Sequence, residues 1–242
     1  MNVYENRTVE ELLKGNPYPG RGILAGMTPD GTRAVAAYFI MGRSRNSRNR
    51  VFAEEGTDLF TRPFDPALVE DPSLIIYAAV RQWENCLCVT NGDQTDTVKE
   101  GILAGKSFFE ALESREFEPD KPNFTPRISA LLTFENSGFH YDMSILKSAD
   151  ADGSACARFG FSYPALPGLG HLIHTYVTDG APLPSFAGEP KRVKTEDDTA
   201  AFARRLWDAL DPDNRISLYV RTVRLADGSA ENILINRYGE EA

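Results

Sequence analysis

Three turns constrain this chain more than anything else in it: Thr28-Pro29-Asp30-Gly31, the loop Ala149-Asp150-Ala151-Asp152-Gly153-Ser154, and Ala226-Asp227-Gly228-Ser229. Each separates two runs rich in apolar residues and β-formers. Asp-Gly between such runs is a tight-hairpin pair, because glycine adopts the backbone that the turn needs. The flanking runs are 22–27 and 33–41, 140–146 and 155–163, and 216–225 and 232–236. Hairpins build antiparallel sheets, and an apolar sheet face has to be covered.

Further strands are predicted from Val51 onward and over 86–90, 127–134 and 171–177, whereas 74–83 reads as strand or helix. Thr8-Val9-Glu10-Glu11 has the form of a capping box and opens a short helix that ends near Gly15. Helices are also predicted over 98–104 and 107–112, with Gly105 as the break. The clearest helix is 197–210, where Phe202, Leu206, Ala209 and Leu210 recur at helical spacing. The stretches 62–72, 118–126 and 179–190 read as loops, and none has the composition of a linker. The pattern implies an α+β layered sandwich of antiparallel sheets, in one domain spanning 1–242.

The net charge of −9 argues against general affinity for nucleic acid or an anionic membrane. The longest apolar run, near 74–80, is too short to span a bilayer. The start of the chain lacks the basic and apolar regions of a secretory signal. Cys86, Cys88 and Cys156 have no metal-ligand spacing and read as buried free thiols, in keeping with a reducing cytoplasm.

On so acidic a chain, four arginines within Arg43-Ser44-Arg45-Asn46-Ser47-Arg48-Asn49-Arg50 need a local reason. Guanidinium forks interleaved with hydroxyls and amides suit a phosphate, and a solvated basic loop is the equal alternative. Tyr77 and Arg81, four apart, are expected to share a face whether their run is strand or helix. Asn91, Gly92, Thr95 and Asp96 lie in a turn before a helix, suited to an anion or a sugar hydroxyl. A plain helix cap is the more ordinary reading of that turn.

Glu118 and Asp120 sit in a proline-stiffened loop that leads through Thr125 to Arg127. A carboxylate held against apolar walls can move protons, although acidic surface loops are commoner. His171 and His174 lie three apart in strand-forming sequence, which places them on opposite faces and argues against a shared metal; one of them could face a substrate.

Taken together, Gly20-Arg21-Gly22, Gly42-Arg43-Ser44 through Asn49-Arg50, Tyr77 to Arg81, Asn91-Gly92 with Thr95-Asp96, and Asn123-Phe124-Thr125-Pro126-Arg127-Ile128 resemble the archaeal-type IMP cyclohydrolase family. These stretches lie in the first half of the chain; the later half matches only in general layout. The resemblance implies a four-layer αββα sandwich similar to N-terminal nucleophile hydrolases. No Cys, Ser or Thr lies at or next to the start, so that family's nucleophile is not expected.

The implied reaction closes 5-formamidoimidazole-4-carboxamide ribotide (FAICAR) to IMP with loss of water, in purine biosynthesis. By resemblance, Arg43, Ser44, Asn49 and Arg50, with Arg45 and Arg48 less central, hold phosphate and ribose. Tyr77 and Arg81 polarise the formyl oxygen; Glu118 or Asp120 transfers protons, oriented by Arg127. The family implies a cytoplasmic homo-oligomer such as a tetramer, with no metal or organic cofactor. A non-catalytic purine-ribotide-binding protein on the same scaffold is the alternative.

Overall fold

The structure, a computed structural model, describes residues 4–69, 76–136 and 138–238. The start of the 74–83 run and the end of the 62–72 loop lie outside them. Two antiparallel sheets dominate. The first joins β1 (Arg21–Met27), β2 (Arg33–Met41), β10 (Leu169–His174), β11 (Lys191–Lys194), β12 (Arg215–Arg224) and β13 (Ala230–Asn236), in the order β11-β10-β1-β2-β12-β13. The second runs in sequence order through β3 (Val51–Glu55), β4 (Asp58–Arg62), β5 (Tyr77–Trp83), β6 (Cys86–Thr90), β7 (Arg127–Glu135), β8 (Gly138–Ser148) and β9 (Cys156–Pro164).

All three Asp-Gly turns close hairpins: β1 with β2, β8 with β9, and β12 with β13. The helices are α1 (Val9–Leu13), α2 (Arg45–Arg48), α3 (Gln94–Leu103), α4 (Phe108–Ala111) and α5 (Thr199–Ala209). The capping box at α1 forms as expected, with Glu11 N–H donating to Thr8 and Thr8 N–H to Glu11. Gly105 has φ +82° and ends the helix before it. Four features differ from the sequence reading: α3 begins at Gln94, β10 stops at His174, and neither the short helix α2 nor the short strands β4 and β11 were anticipated.

Three apolar clusters account for the stacking. The central one takes Ile23, Tyr38, Ile40 and Tyr219 from the first sheet and Tyr77, Leu87, Ile128 and Tyr141 from the second. A second cluster fills the space between the first sheet and α1 and α5, through Leu13, Phe39, Phe202, Leu206 and Leu218. A third joins Trp83, Cys88 and Leu131 to Val98 and Phe108 of α3 and α4. Strands β1, β2 and β12 are covered on both faces, which is why they read as nearly continuous apolar runs rather than as alternating ones.

One irregularity governs the site. Leu59 of β4 pairs with Val80, but its neighbour Phe60 pairs with Ala78, so β5 carries one extra residue there. Such a bulge shifts the alternation of faces. Tyr77, Ala79 and Val80 all enter the central core. Arg81 points the other way, toward α3, and its cross-strand partner Cys88 belongs to the outer cluster. The expectation that Tyr77 and Arg81 share a face is therefore incorrect, because spacing alone takes no account of the inserted residue.

Candidate functional site

A cleft of about 510 Å³ opens beside the end of β2, lined by residues that include Arg21, Arg43, Asn46, Arg50, Glu118 and Tyr176. Its volume falls in the range of roughly 300–1,000 Å³ typical of small-molecule sites. Ser44 caps α2 and accepts from Ser47 N–H, which fixes both hydroxyls on the cleft wall. Arg43 reaches across the mouth, with its guanidinium 4.9 Å from the centre of the Tyr18 ring and paired with Asp179.

Deeper in, Arg50 is buried and Arg21 is mostly buried, and the two are close enough for their charges to interact. Burial is the largest single influence and works against the Arg21 cation, but Glu118, 4.0 Å away, together with Tyr176, Tyr77 and Tyr18 outweighs it and holds the guanidinium well above its ordinary value. Arg50 is shifted down, first by burial and then by the like charge of Arg21. It is 6% exposed, makes no ion pair among the described residues, and its Nε is buried without a hydrogen-bond partner. Asn46 Oδ1, on the same cleft, is likewise buried and unpartnered. Of the three such side-chain atoms among the described residues, two belong to this cleft, and the third is Trp83 Nε1. A buried cation without a hydrogen-bonded counter-charge is costly, and two unpartnered polar atoms on residues of one cleft mark it as the place where polar groups are left unsatisfied.

The far wall is the 118–125 loop. Asp120 accepts from Thr125 N–H at 2.6 Å and from the Thr125 hydroxyl at 2.5 Å, so both carboxylate oxygens are engaged. Among the described residues no group donates a hydrogen bond to the Glu118 carboxylate, which is 8% exposed and has Arg21 4.0 Å away. Between Asn123 and Thr125, Phe124 has φ +43°, a strained backbone for an aromatic residue. Asn123 Oδ1 accepts from Leu183 N–H at 3.1 Å, tying this loop to the 179–190 segment. Below the arginines, Tyr38 and Tyr77 share a hydroxyl hydrogen bond of 2.8 Å. Burial pushes the Tyr38 hydroxyl well above its usual range.

Of the residues picked from sequence, Arg43, Ser44, Arg50, Glu118, Asp120 and Thr125 meet at this cleft. Tyr77 lies under it, near enough to Arg21 and Arg50 to feel their charge, but is not part of its wall. The others stand elsewhere, each with its own partners. Arg81 is clamped between Asp58 and Asp96 on the outer face of the second sheet. Arg127 bonds Asp93 and Gln94. Asn49 bonds the Asp65 backbone in both directions, and Arg48 bonds Gly42 O and Asn214. Arg45 does not line the cleft.

Asn91 ties Pro126 O and Ile128 N–H together, and Thr95 bonds the backbone at Ala78 and Gly92. At Gly92 a Cβ would lie 2.5 Å from the Arg127 guanidinium and 2.6 Å from Gln94 Oε1, so a larger residue would have to displace those two side-chain ends. The turn is thus a helix start, its more ordinary reading, and not part of the cleft. His171 stacks on Tyr163 at 3.6 Å and bonds the Tyr141 hydroxyl; His174 donates to Tyr176 O at 2.7 Å. Burial lowers both histidines to about 4, and neither lines the cleft.

Sequence reasoning missed Tyr18, Tyr176 and Leu183 as site residues, gave Asn46 and Ser47 only as part of the arginine segment, and assigned no role to Arg21 or Asn123. Arg21 flanked by two glycines carried a usable signal, since Gly20 has φ +80° and a Cβ there would lie 2.1 Å from Thr175 Oγ1. Tyr18, Tyr176 and Leu183 come from remote segments and carried none.

Two antiparallel sheets and a cleft lined by Arg21, Arg43 and Arg50 define an α+β protein with an arginine-lined cleft. The particular relationship is equally clear. The sequence model of the IMP cyclohydrolase-like protein family matches residues 18–228, and the chain belongs to that family. An IMP cyclohydrolase from Methanopyrus kandleri is 36% identical over 181 residues, covering 70% of this chain and 89% of that protein.

Proposed function

We propose that this cleft binds FAICAR through its phosphate and closes the second purine ring, with the unpaired buried guanidinium of Arg50 as the observation that carries the reading. The activity is that of an IMP cyclohydrolase, the dehydrating ring closure of purine biosynthesis. Arg50, with Arg43, Ser44 and Ser47, takes the phosphate and ribose, supplying paired donors to an oxyanion. Arg21, Glu118 and Tyr176 face the base.

Little covalent chemistry falls to the protein, because nucleophile and electrophile belong to one molecule and need only be held in a near-attack arrangement. The carboxamide nitrogen bonds to the formyl carbon while Arg21 stabilises the charge that develops on the formyl oxygen. Glu118 accepts the proton from that nitrogen. It passes that proton to the formyl oxygen, giving a hydroxyl group, then takes the hydrogen of the former formamide nitrogen and delivers it to this hydroxyl as the C–O bond breaks, so that water departs and the ring's C=N bond forms. Arg21 thus fills the role expected of Tyr77 and Arg81, and Glu118 is preferred to Asp120 because both Asp120 oxygens are already engaged.

Residues 1–242 are read as one domain, a four-layer αββα sandwich similar to the N-terminal nucleophile hydrolases; the three stacked apolar clusters support this. Phe109 and Phe159, 38% and 42% exposed, offer a second copy an apolar surface and support a homo-oligomer such as a tetramer. The free thiols Cys86, Cys88 and Cys156 suit a cytoplasmic setting. Purified chain incubated with FAICAR should produce IMP, followed by the change in ultraviolet absorbance. Saturable binding of FAICAR with no product would leave a ribotide-binding protein and remove the catalytic reading.

A further inference from the structure

The proton arrangement along one wall of the cleft is determined by its hydrogen bonds. Asp120, as a carboxylate, can only accept, and it takes both the N–H and the O–H of Thr125, at 2.6 and 2.5 Å. Thr125 has no second hydroxyl hydrogen to give. Its Oγ1 nevertheless lies 2.5 Å from the Tyr176 hydroxyl, so Tyr176 must be the donor in that bond. A phenol has one hydrogen. With that hydrogen spent on Thr125, the Tyr176 oxygen has only lone pairs left for a ligand.

The tyrosine is held rigidly in this state. Its N–H donates to Pro19 O at 3.1 Å, its carbonyl accepts from His174 Nδ1, and its ring stacks on Tyr18 at 5.9 Å. Tyr176 and Thr125 both line the cleft, and Tyr176 is 2% exposed. Burial further raises the pKa of its hydroxyl, which keeps the phenol neutral.

We infer that the Asp120–Thr125–Tyr176 chain makes Tyr176 an obligate hydrogen-bond acceptor that selects ligands presenting an N–H at this wall, the carboxamide of the ribotide rather than a carboxylate. This rests on the ribotide reading of the cleft. A Tyr176 oxygen that can only accept disfavours a carboxylate oxygen set directly against it, whereas it rewards an amide N–H in the same place. Discrimination of this kind is strong, because a buried polar group left unmatched is expensive. Thr125 acts through Tyr176 and is a positioning residue.

The test compares binding of 5-aminoimidazole-4-carboxamide ribotide with that of its 4-carboxylate counterpart, by calorimetry on the full chain. The variants are Tyr176→Phe, Thr125→Val and Thr125→Ser. The wild type should prefer the carboxamide. Tyr176→Phe should lower the ratio of the two affinities by about tenfold. Thr125→Val should lower it similarly, since the freed phenol hydrogen can then turn toward a carboxylate, and Thr125→Ser should retain it. A merely structural role would weaken both ligands together and leave the ratio unchanged.

An unchanged ratio in Tyr176→Phe and Thr125→Val overturns the inference while leaving the ribotide site standing. Equal loss in Thr125→Ser and Thr125→Val, both melting cooperatively, also overturns it. Failure of the wild type to bind either ribotide removes the ribotide reading and this inference with it.

Discussion

The inner cleft and the outer face of the second sheet both hold arginines among carboxylates, but they are assembled on opposite principles. On the outer face the guanidinium groups beside α3 are ion-paired: Arg81 with Asp58 and Asp96, and Arg127 and Arg115 both with Asp93. In the cleft, Arg21 and Arg50 share one carboxylate, Glu118, and Arg50 is left with a buried, unpartnered Nε. The paired group is finished as built and ties α3 to the strands beneath it. The unpaired group, on the proposed reading, is completed by the ribotide's phosphate. Charge imbalance under burial, more than arginine density, separates a binding site from a structural network.

The largest expected effect separates the two by chemistry. Glu118→Gln, which keeps the shape and removes the base, should lower kcat by about 10²- to 10⁴-fold with little change in ribotide affinity, measured by steady-state kinetics. Asp96→Asn on the outer face should leave kcat unchanged. Equal kcat in wild type and Glu118→Gln would break the contrast.

The next effect concerns how the fold keeps buried bases. Arg50 retains its charge, whereas His171 and His174 give theirs up, each lowered by burial from 6.5 to about 4. In the unfolded chain they protonate near 6.5. Below that pH the unfolded state therefore binds protons that the folded state refuses, and stability falls as pH drops from about 6.5 toward 4. Each histidine contributes on the order of 2–3 kcal/mol across that window. Urea unfolding at pH 7 and pH 4.5 should show the loss, and a His171→Gln, His174→Gln double variant should flatten this dependence.

Arg81→Met should follow, with a loss of about 1–2 kcal/mol in stability, because it strands Asp58 and Asp96 on a partly exposed face, and with no change in KM. Smallest is Asp179→Asn. The Arg43–Asp179 pair sits at the exposed mouth of the cleft, so releasing Arg43 should tighten ribotide binding by a few-fold at most. Weaker binding would mean that Asp179 helps to hold the ligand.

How much of this was legible beforehand follows the same division. The hairpins, the Thr8 capping box and α5 rest on local chemistry, and all three stand as read. Strands β4 and β11 did not show, because Lys191–Lys194 is a charged edge strand and Asp58–Arg62 is short, with polar residues at both ends. The bulge in β5 has no mark in its sequence, and it decided the fate of Arg81. In the cleft, Arg43, Ser44 and Arg50 could be seen as a cluster of charge. Their partners Tyr18, Tyr176 and Leu183 could not, since they arrive from segments more than a hundred residues apart in the case of Tyr18 and Tyr176. Residue type told where positive charge was dense, but only the fold shows which charges are left without a partner.

The most direct measurement is ribotide binding and thermal unfolding of Arg50→Gln beside wild type. Loss of IMP affinity by about 100-fold or more, with a melting temperature equal to or above that of wild type, is expected if Arg50 is a strained cation held for an anion. Wild-type affinity, or a collapse of stability without a specific loss of binding, would contradict it.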